Sequence, residues 1–361
     1  MKLLTGFLLA VGFAATSGAG TLYFGAYPNS ILVFDEATGK VIDRVKLDTG
    51  LPTGLKLSYD QKKIYVTTND KSGIEVFDVA THKIVKKFTL NSETKKFRFT
   101  GGTADPQDKF FYTVTTELTR QIDRYEVGKP KYTAIDLNDG KIVKSVEVPT
   151  DEEGFVTGYR GASFEISPDG KYLYQFRDAV IILSTDDFKE VAKIDMAKPD
   201  DQGMEQIGFG MSLDTIGEPG YFVSMFNTSD PIVHNKIFGF AKFDLTKRTV
   251  EYKPIGPAPP TMAGLQVAPD KKSAYTIVTQ GSLGNKRCEI WAFDLNSTRI
   301  TKTQEVGCRS RFTFAMSADG KKLYIYGAGF EFDVYDAATL QFQKKWDTGN
   351  DVTMGGLIAL P

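Results

Sequence analysis

Seven strand-like runs recur along this chain, and each begins with an aromatic residue. The starting residues are Tyr23, Tyr65, Tyr112, Tyr174, Phe222, Tyr275 and Tyr324. Apolar and polar residues alternate within these runs, which is the pattern of half-buried β-strands. The runs start about 50 residues apart, a period typical of propeller repeats. The period therefore predicts a fold made of small sheets repeated around an axis.

Each repeat contains further strand-like runs in a fixed order. The run after the aromatic start ends in an apolar residue, an aromatic and Asp, as in VFD at 33–35 and AFD at 292–294, although the fourth repeat has ILS at 182–184. A turn and another alternating run follow, as at 40–47. A run rich in small residues precedes the aromatic start, as at 263–268, and fits a strand crowded near an axis. Each repeat is therefore predicted to be a four-stranded antiparallel blade.

The two ends of the sequence predict how the ring closes. The first repeat, beginning at 21–29, lacks an innermost strand, and residues 354–361 read as an innermost strand with nothing after it. The predicted fold is all-β, a seven-bladed β-propeller whose ring is closed by the C-terminal strand in blade one. Such closure leaves no long exposed strand edge.

The N-terminal residues differ in character from the repeats. Lys2 precedes an apolar run at 3–15, and small residues follow near Ser17 and Ala19. This pattern predicts a signal peptide over 1–19 and a mature propeller over 20–361. The alternative is a short membrane anchor, although the apolar run is short for a membrane span. The predicted location is periplasmic or secreted.

The chain has two cysteines, Cys288 and Cys308. Export permits a disulfide between them. The two positions are symmetric about residue 298, which lies in the predicted turn of the sixth blade's outer hairpin, so they should face each other across two strands. The sequence therefore predicts a Cys288–Cys308 disulfide; two reduced thiols are the alternative.

Charge and motifs argue against several classes of function. A formal net charge of -1 provides no long-range attraction for nucleic acid or anionic lipid. The two histidines, His82 and His234, lie in a predicted outer turn and in an insertion. The sequence contains no zinc-protease, c-type haem, phosphate-loop or hydrolase-elbow motif. We therefore predict no catalytic residue, metal site or cofactor in this chain.

The candidate functional residues lie on one predicted face, formed by connections between second and third strands and between blades. Two long loops, predicted at 115–132 and 227–236, belong to this face, and loops of that length are often functional. Its polar and aromatic residues are Tyr27, Asn29, Asn69, Asp70, Glu117, Arg120, Arg124, Arg160, Arg177, Asp178, Asn227, Arg309 and Arg311. Arginines there suit an anionic ligand or a partner's carboxylates. Alternatively, they form structural pairs with acids such as Glu117, Glu165 or Asp178.

The repeat also resembles a known family. The stretches 64–70 and 76–88 resemble YVTN-type seven-bladed propellers. The whole mature chain resembles the β subunit of quinohaemoprotein amine dehydrogenases, and the stretches 27–41, 112–140, 237–249 and 321–356 carry this resemblance. The fourth blade, at 172–187, matches least well.

The resemblance implies an accessory role in a periplasmic heterotrimer that oxidises primary amines to aldehydes. A small γ subunit would carry a tryptophan-derived quinone, and an α subunit would carry two c-type haems. The propeller would pack against both and wall the substrate pocket. The residues predicted to contact partners or the pocket are Tyr27, Asn69, Arg120, Arg124, Arg160, Arg177 and Arg311.

Two other functions remain open from the residues alone. One is a propeller enzyme acting by itself, such as a lactonase, which needs acids or histidines on inner strands, where Glu165 is the sole predicted carboxylate. The other is a stand-alone exported propeller that binds a ligand or acts at a surface. The preferred amine, the partners and the oligomeric state are not specified by the sequence.

Overall fold

The computed structural model describes residues 20–69, 73–150, 153, 163–176, 179–195, 208–210, 212–214, 217–229, 232, 235–309 and 311–361. Within these ranges the protein is an all-β propeller, as predicted, and Leu283–Asn285 form a short 3-10 helix. No helix in these ranges is long and apolar enough to cross a membrane.

The described strands form six antiparallel sheets. The first strands are β1 (Thr21–Ala26), β2 (Ser30–Asp35) and β3 (Lys40–Lys46). A four-stranded sheet follows, with β4 (Pro52–Leu57), β5 (Lys63–Thr68), β6 (Gly73–Asp78) and β7 (Lys83–Thr89). The next contains β8 (Lys95–Ala104), β9 (Phe110–Arg120), β10 (Tyr125–Asp136) and β11 (Ile142–Glu147).

The remaining sheets repeat this plan. One contains β12 (Ser163–Ile166), β13 (Tyr172–Phe176), β14 (Ala179–Ser184) and β15 (Glu190–Asp195). Another contains β16 (Gly208–Phe209), β17 (Tyr221–Ser229), β18 (Lys236–Asp244) and β19 (Thr249–Pro257). The fifth contains β20 (Thr261–Met262), β21 (Gln266–Val267), β22 (Ser273–Gln280), β23 (Arg287–Asp294) and β24 (Arg299–Val306).

The sixth sheet has seven strands and joins the two ends of the chain. Its C-terminal strands are β25 (Thr313–Met316), β26 (Lys322–Tyr326), β27 (Gly329–Asp336) and β28 (Phe342–Leu360). The first part of β28 pairs with β27, and its last part pairs with β1, so that Leu360 lies opposite Thr21. The strand order is β25–β26–β27–β28–β1–β2–β3.

Antiparallel pairing gives the propeller two faces. The lower face holds the turns between first and second strands, such as 58–62, and the outer turns between third and fourth strands, such as 79–82. The upper face holds the connections between second and third strands, such as 27–29, and those between neighbouring sheets, such as 47–51.

The outer turns explain the repeated Asp of the sequence. Seven outer turns are described, and in each the fourth residue after the strand end has positive φ; these residues are Gly39, His82, Gly140, Phe188, Arg248, Thr298 and Leu340. The Asp that ends the strand accepts hydrogen bonds from the turn, as Asp35 does from the Ala37 amide. In the sheet of β12–β15, Ser184 replaces Asp and accepts from the Asp186 amide.

The seven repeated aromatic residues lie one or two residues inside the second strands and form much of the core. All seven are buried, with exposed fractions from 0% at Tyr324 to 9% at Phe222. They pack between neighbouring sheets, as where the rings of Phe176 and Phe222 stack at 4.2 Å. Several tyrosine hydroxyls also bond the next sheet, since Tyr174 donates to the carbonyl of Leu245. The repeat therefore specifies the contacts between blades as well as the strands.

The structure contains the predicted Cys288–Cys308 disulfide, with Cα atoms 5.3 Å apart. The strand register behind the prediction is wrong, however. Cys288 on β23 lies opposite Val306, because the turn pairs Asp294 with Arg299 and a bulge shifts the register nearby. Cys308 lies beyond the end of β24 and still reaches Cys288.

Candidate functional site

The described residues of the predicted contact set lie on the upper face. All five are exposed there, at the upper ends of strands or in the connections between them: Tyr27, Asn69, Arg120, Arg124 and Arg311. No hydrogen bond or ion pair between described residues joins Tyr27 or Asn69 with the two arginines of the β9–β10 hairpin. Arg160, Arg177, Asp70 and Asp178 lie outside the described residues. The contact role of the whole set remains a prediction.

An apolar cluster lies on the upper face where β28 passes from β27 to β1. Val352 of β28 pairs with both Ala26 and Gly329. The residues that follow these two, Tyr27 and Phe330, are 63% and 54% exposed, and Met354, two positions beyond Val352, is 41% exposed. Tyr27 and Phe330 thus flank one short stretch of β28, and Met354 belongs to it. We call Tyr27, Phe330 and Met354 the apolar cluster.

The predicted insertion at 115–132 is not a loop, contrary to the sequence interpretation. β9 has 11 residues, against 6 in the equivalent strand β5, and β9 and β10 continue their pairing to a tight turn at 121–124. β8 is also long and pairs along β9 as far as Lys95 opposite Thr119. Together they form a three-stranded extension above the upper face, which we call the arm (residues 95–100 and 114–130).

The two arginines at the end of the arm differ in their partners. Arg124 lies 3.2 Å from Asp123 and 3.4 Å from Glu126, so its charge is partly compensated within the turn. Arg120 forms no ion pair with a described carboxylate. Glu117 pairs with Lys95 at 2.7 Å, and the hydrogen bond from Lys95 lowers the pKa of Glu117. Arg124 and Glu117 therefore form the structural ion pairs that the sequence offered as the alternative to ligand binding. Arg120 keeps its guanidinium free of any described carboxylate.

Two further candidates on this face have structural partners. Arg309 donates to Asp333 at 2.6 Å and to the carbonyl of Glu331. Lys345 pairs with Glu331 at 2.8 Å, and this hydrogen bond raises the pKa of Lys345. Asn29 donates to the carbonyl of Leu47. Arg309, in the connection between β24 and β25, is therefore engaged with β27.

A cavity of about 300 Å³ lies on the lower face and was not predicted. It is lined by inner strands and lower-face turns, including residues 56–59 and 217–223. Four lysines line it, each paired with a carboxylate: Lys56 with Glu165, Lys242 with Glu218, Lys253 with Glu251, and Lys271 with Asp214. Because the charges alternate and compensate, the cavity offers no excess of either sign.

The Lys56–Glu165 pair is the part of this cavity for which the sequence held a signal. The two residues lie on the inner strands β4 and β12, and Lys56 Nζ lies 3.0 Å from Glu165 Oε1. Polar residues on strands nearest the axis are a signal for a lined channel, but their pairing depends on which blades face each other.

Among the described residues no group of three or more His, Cys, Asp or Glu is placed to hold a metal ion.

Comparison with solved structures finds propellers over nearly the whole chain. A functionally unknown protein from Desulfotomaculum acetoxidans superimposes with a TM-score of 0.57 at 13% identity, covering 94% of this chain and 98% of that one. The β-propeller domain of Cps50 (Swd1) from Myceliophteria thermophila gives a TM-score of 0.55 at 10% identity, covering 92% and 97%. The dihydro-heme d1 dehydrogenase NirN, in complex with DHE, gives 0.53 at 16%, covering 94% and 75%.

These similarities show the fold alone, because the identities are low. No family model matches the sequence. No curated protein matches it either. The β-propeller is therefore the level at which the comparisons classify this chain.

Proposed function

We propose that this chain is the propeller (β) subunit of a periplasmic quinohaemoprotein amine dehydrogenase complex that oxidises primary amines to aldehydes. It would pack against a di-haem α subunit and a small quinone-bearing γ subunit and would carry no cofactor itself. The quinone on the γ subunit would accept the electrons of the amine. This chain would hold the partners in place and wall the substrate pocket.

The observation that carries this proposal is the exposure of large apolar side chains on the upper face. The apolar cluster lies at one place, and Ile122, Tyr125 and Val127 of the arm lie at another, with exposed fractions of 107%, 46% and 70%. Grouped apolar side chains exposed to water are typical of protein docking sites. Two separate groups on one face suit two partner subunits, and the family resemblance supplies their identity.

We further propose that the ring has seven blades and closes through β28. The seven buried aromatic starts and the seven outer turns with positive φ support this number. The pairing of β28 with both β27 and β1 supports division of the seven-stranded sheet into two blades. A closed ring would give the upper face the rigidity that a docking platform needs.

The proposed location is the periplasm, after removal of a signal peptide over 1–19. The Cys288–Cys308 disulfide supports export, because structural disulfides form and persist in oxidising compartments. N-terminal sequencing of the natural protein tests this directly. A mature chain beginning near Gly20 is the expected result, and an intact Met1 in the membrane fraction would contradict it.

A second candidate function is a stand-alone exported propeller that binds a ligand. The lower-face cavity favours it, since about 300 Å³ is at the small end of ligand sites. Its compensated charges and the aromatic ring of Tyr221 suit a small uncharged or zwitterionic molecule.

Gentle purification of the chain from its own periplasmic fraction separates the two candidates. The complex predicts co-purification with a c-type haem protein, seen by its absorbance, and with a small cross-linked quinone peptide, seen by mass spectrometry. Recovery as a lone, colourless protein would refute the subunit proposal and favour the binding propeller.

A further inference from the structure

The strand register divides the arm into two faces of different chemistry. Cross-strand neighbours share a face of a sheet. Lys96 lies opposite Leu118, and Leu118 lies opposite Val127 on the third strand. Arg120 lies opposite Tyr125 in the next row, and Lys96 Nζ lies 5.5 Å from the centre of the Tyr125 ring.

One further row completes this surface. Arg98 lies opposite Thr116, two residues along from the Lys96–Leu118 row, and so points to the same side. We call this surface the basic face; its members are Lys96, Arg98, Leu118, Arg120, Tyr125 and Val127. It combines three cations with three apolar side chains.

Charge is segregated between the two sides of the arm. On the opposite side, Lys95 and Glu126 share a row across Thr119, and Lys95 forms an ion pair with Glu117 of the next row. None of the three cations of the basic face forms an ion pair with a described carboxylate. The excess of positive charge is local, because the whole chain has a net charge of -1.

The basic face is open to solvent. Lys96, Arg98 and Arg120 are exposed, and Leu118 is half-buried. The same side of β9 packs Tyr112 and Val114 into the core shared with β13 and β14. The basic face therefore lies on the side of β9 that packs against the β12–β15 sheet lower down. It lies above the end of that sheet, which does not cover it.

We propose that the basic face binds an acidic segment of a partner protein that also presents apolar side chains. Arginine and lysine recognise carboxylates, and the guanidinium of Arg does so with two hydrogen bonds. Leu118, Tyr125 and Val127 offer the apolar surface that a nucleic-acid backbone would leave unused. The inference rests on the proposed docking function and specifies the chemistry of one partner.

The test reverses the three charges and compares a matched variant. The test variant carries Lys96→Glu, Arg98→Glu and Arg120→Glu. The control carries Lys95→Glu, Lys129→Glu and Lys141→Glu, which changes the net charge equally at cations of the β8–β11 sheet and its turns that already pair with Glu117, Glu147 and Asp139. Each is exposed, so both variants should fold, and circular dichroism and thermal unfolding check this.

The expected result is an affinity for the natural partners about tenfold lower in the test variant at low ionic strength, with the difference shrinking in about 1 M salt. The control should stay within about twofold of the natural chain. If a complex forms and the test variant binds as well as the control, the inference is overturned while the proposed function stands.

If the natural chain forms no complex, the proposed function fails and the inference is tested by itself. The probe is then a labelled peptide of about ten residues alternating glutamate and phenylalanine, followed by fluorescence anisotropy. Binding that is lost in the test variant and kept in the control supports the inference. No binding, equal binding by both variants, or tighter binding of a single-stranded oligonucleotide overturns it.

Discussion

The hydroxyl of Tyr324 on β26 donates a hydrogen bond to Oε1 of Glu36, a residue 288 positions away in the sequence. Both side chains are buried, and Glu36 Oε2 accepts from the Gly20 amide at 2.8 Å. Burial and the nearby carboxylate raise the pKa of Tyr324 well above its usual value. A charged group thus joins β26 to the turn after β2.

In two other blades, the tyrosine equivalent to Tyr324 donates its hydrogen bond to a backbone carbonyl. Tyr174 and Tyr275 donate to the carbonyls of Leu245 and Ala337, which, like Glu36, follow the Asp at the end of a third strand. Glu36 thus replaces a carbonyl with a carboxylate where the N-terminal and C-terminal strands meet. A hydrogen bond to a charged group contributes more to the free energy of unfolding than a hydrogen bond between neutral groups does.

The first prediction concerns this bond. Tyr324→Phe should lower the free energy of unfolding by about 2 kcal/mol, because it leaves a buried carboxylate oxygen without its donor. Tyr275→Phe is the matched control and should cost about 1 kcal/mol, since its acceptor is a carbonyl. Urea unfolding of both variants measures the difference. Equal losses would show that Glu36 contributes no more than a backbone carbonyl.

A second prediction concerns pH. The amide and hydroxyl of Thr339 donate to Asp336 and hold the pKa of that carboxyl below its usual value. A carboxyl with a lower pKa in the folded chain stabilises the fold above its unfolded pKa, which is about 3.9 for Asp. That stabilisation is lost as the pH falls through the folded value.

The wild-type protein should therefore lose stability below about pH 4. The loss should be smaller in Asp336→Asn, which has no proton to gain at this site. Ser184→Ala is the control, since that turn lacks the carboxyl, and its difference from wild type should not change with pH. The unfolding midpoint in urea, measured from neutral to acid pH, gives the comparison. An unchanged acid slope in Asp336→Asn would contradict the assignment.

Local features of this fold were readable from the sequence, and features that depend on distant residues were not. Alternation around Tyr65 and the Asp at 78 predict strands and a turn because each depends on neighbours in the chain. The arm was missed because Gly128 and Pro130 interrupt the alternation of β10 and suggest a loop. The shifted register of Cys288 follows from a bulge that no residue type announces.

The candidate site also combines features that neighbours in the chain determine with features that depend on distant residues. Exposure of Tyr27 and Arg120 on one face follows from the order of strands, which the repeat supplies. The pairing of Lys56 with Glu165 follows from which inner strands face each other near the axis, and spacing along the chain does not contain that information. Segregation of charge on the arm depends on register across three strands, so it became visible only with the pairing of Leu118.

A third prediction concerns the disulfide. Cys288 and Cys308 are separated by 20 residues in the sequence, and closing a loop of this size stabilises a fold by about 3 kcal/mol. The double variant Cys288→Ser, Cys308→Ser should lose about that amount in thermal or urea unfolding. Reductant should destabilise the wild-type chain and leave the double variant unaffected. A wild-type chain insensitive to reductant would contradict the role of the bond.

A fourth prediction concerns the outer turns. Thr298 occupies the turn position with φ of 53°, where the sheet of β1–β3 has Gly39 and that of β8–β11 has Gly140. A β-branched residue is strained in this conformation, and glycine is not. Thr298→Gly should therefore stabilise the fold by about 0.5 kcal/mol or more, although glycine adds entropy to the unfolded chain. Thr298→Ala keeps a Cβ and should gain less; an equal gain would point away from backbone strain.

The last prediction tests the apolar cluster as a docking surface. Phe330 and Phe342 are 54% and 55% exposed, and they lie on the upper face and on an outer strand respectively. Phe330→Ser and Phe342→Ser therefore remove the same side chain at the same exposure. Both should unfold at nearly the wild-type denaturant concentration, since exposed positions contribute little to stability. Only Phe330→Ser should weaken the complex, by about tenfold or more if Phe330 is central to the interface. Equal retention of partners by both variants would place the interface elsewhere.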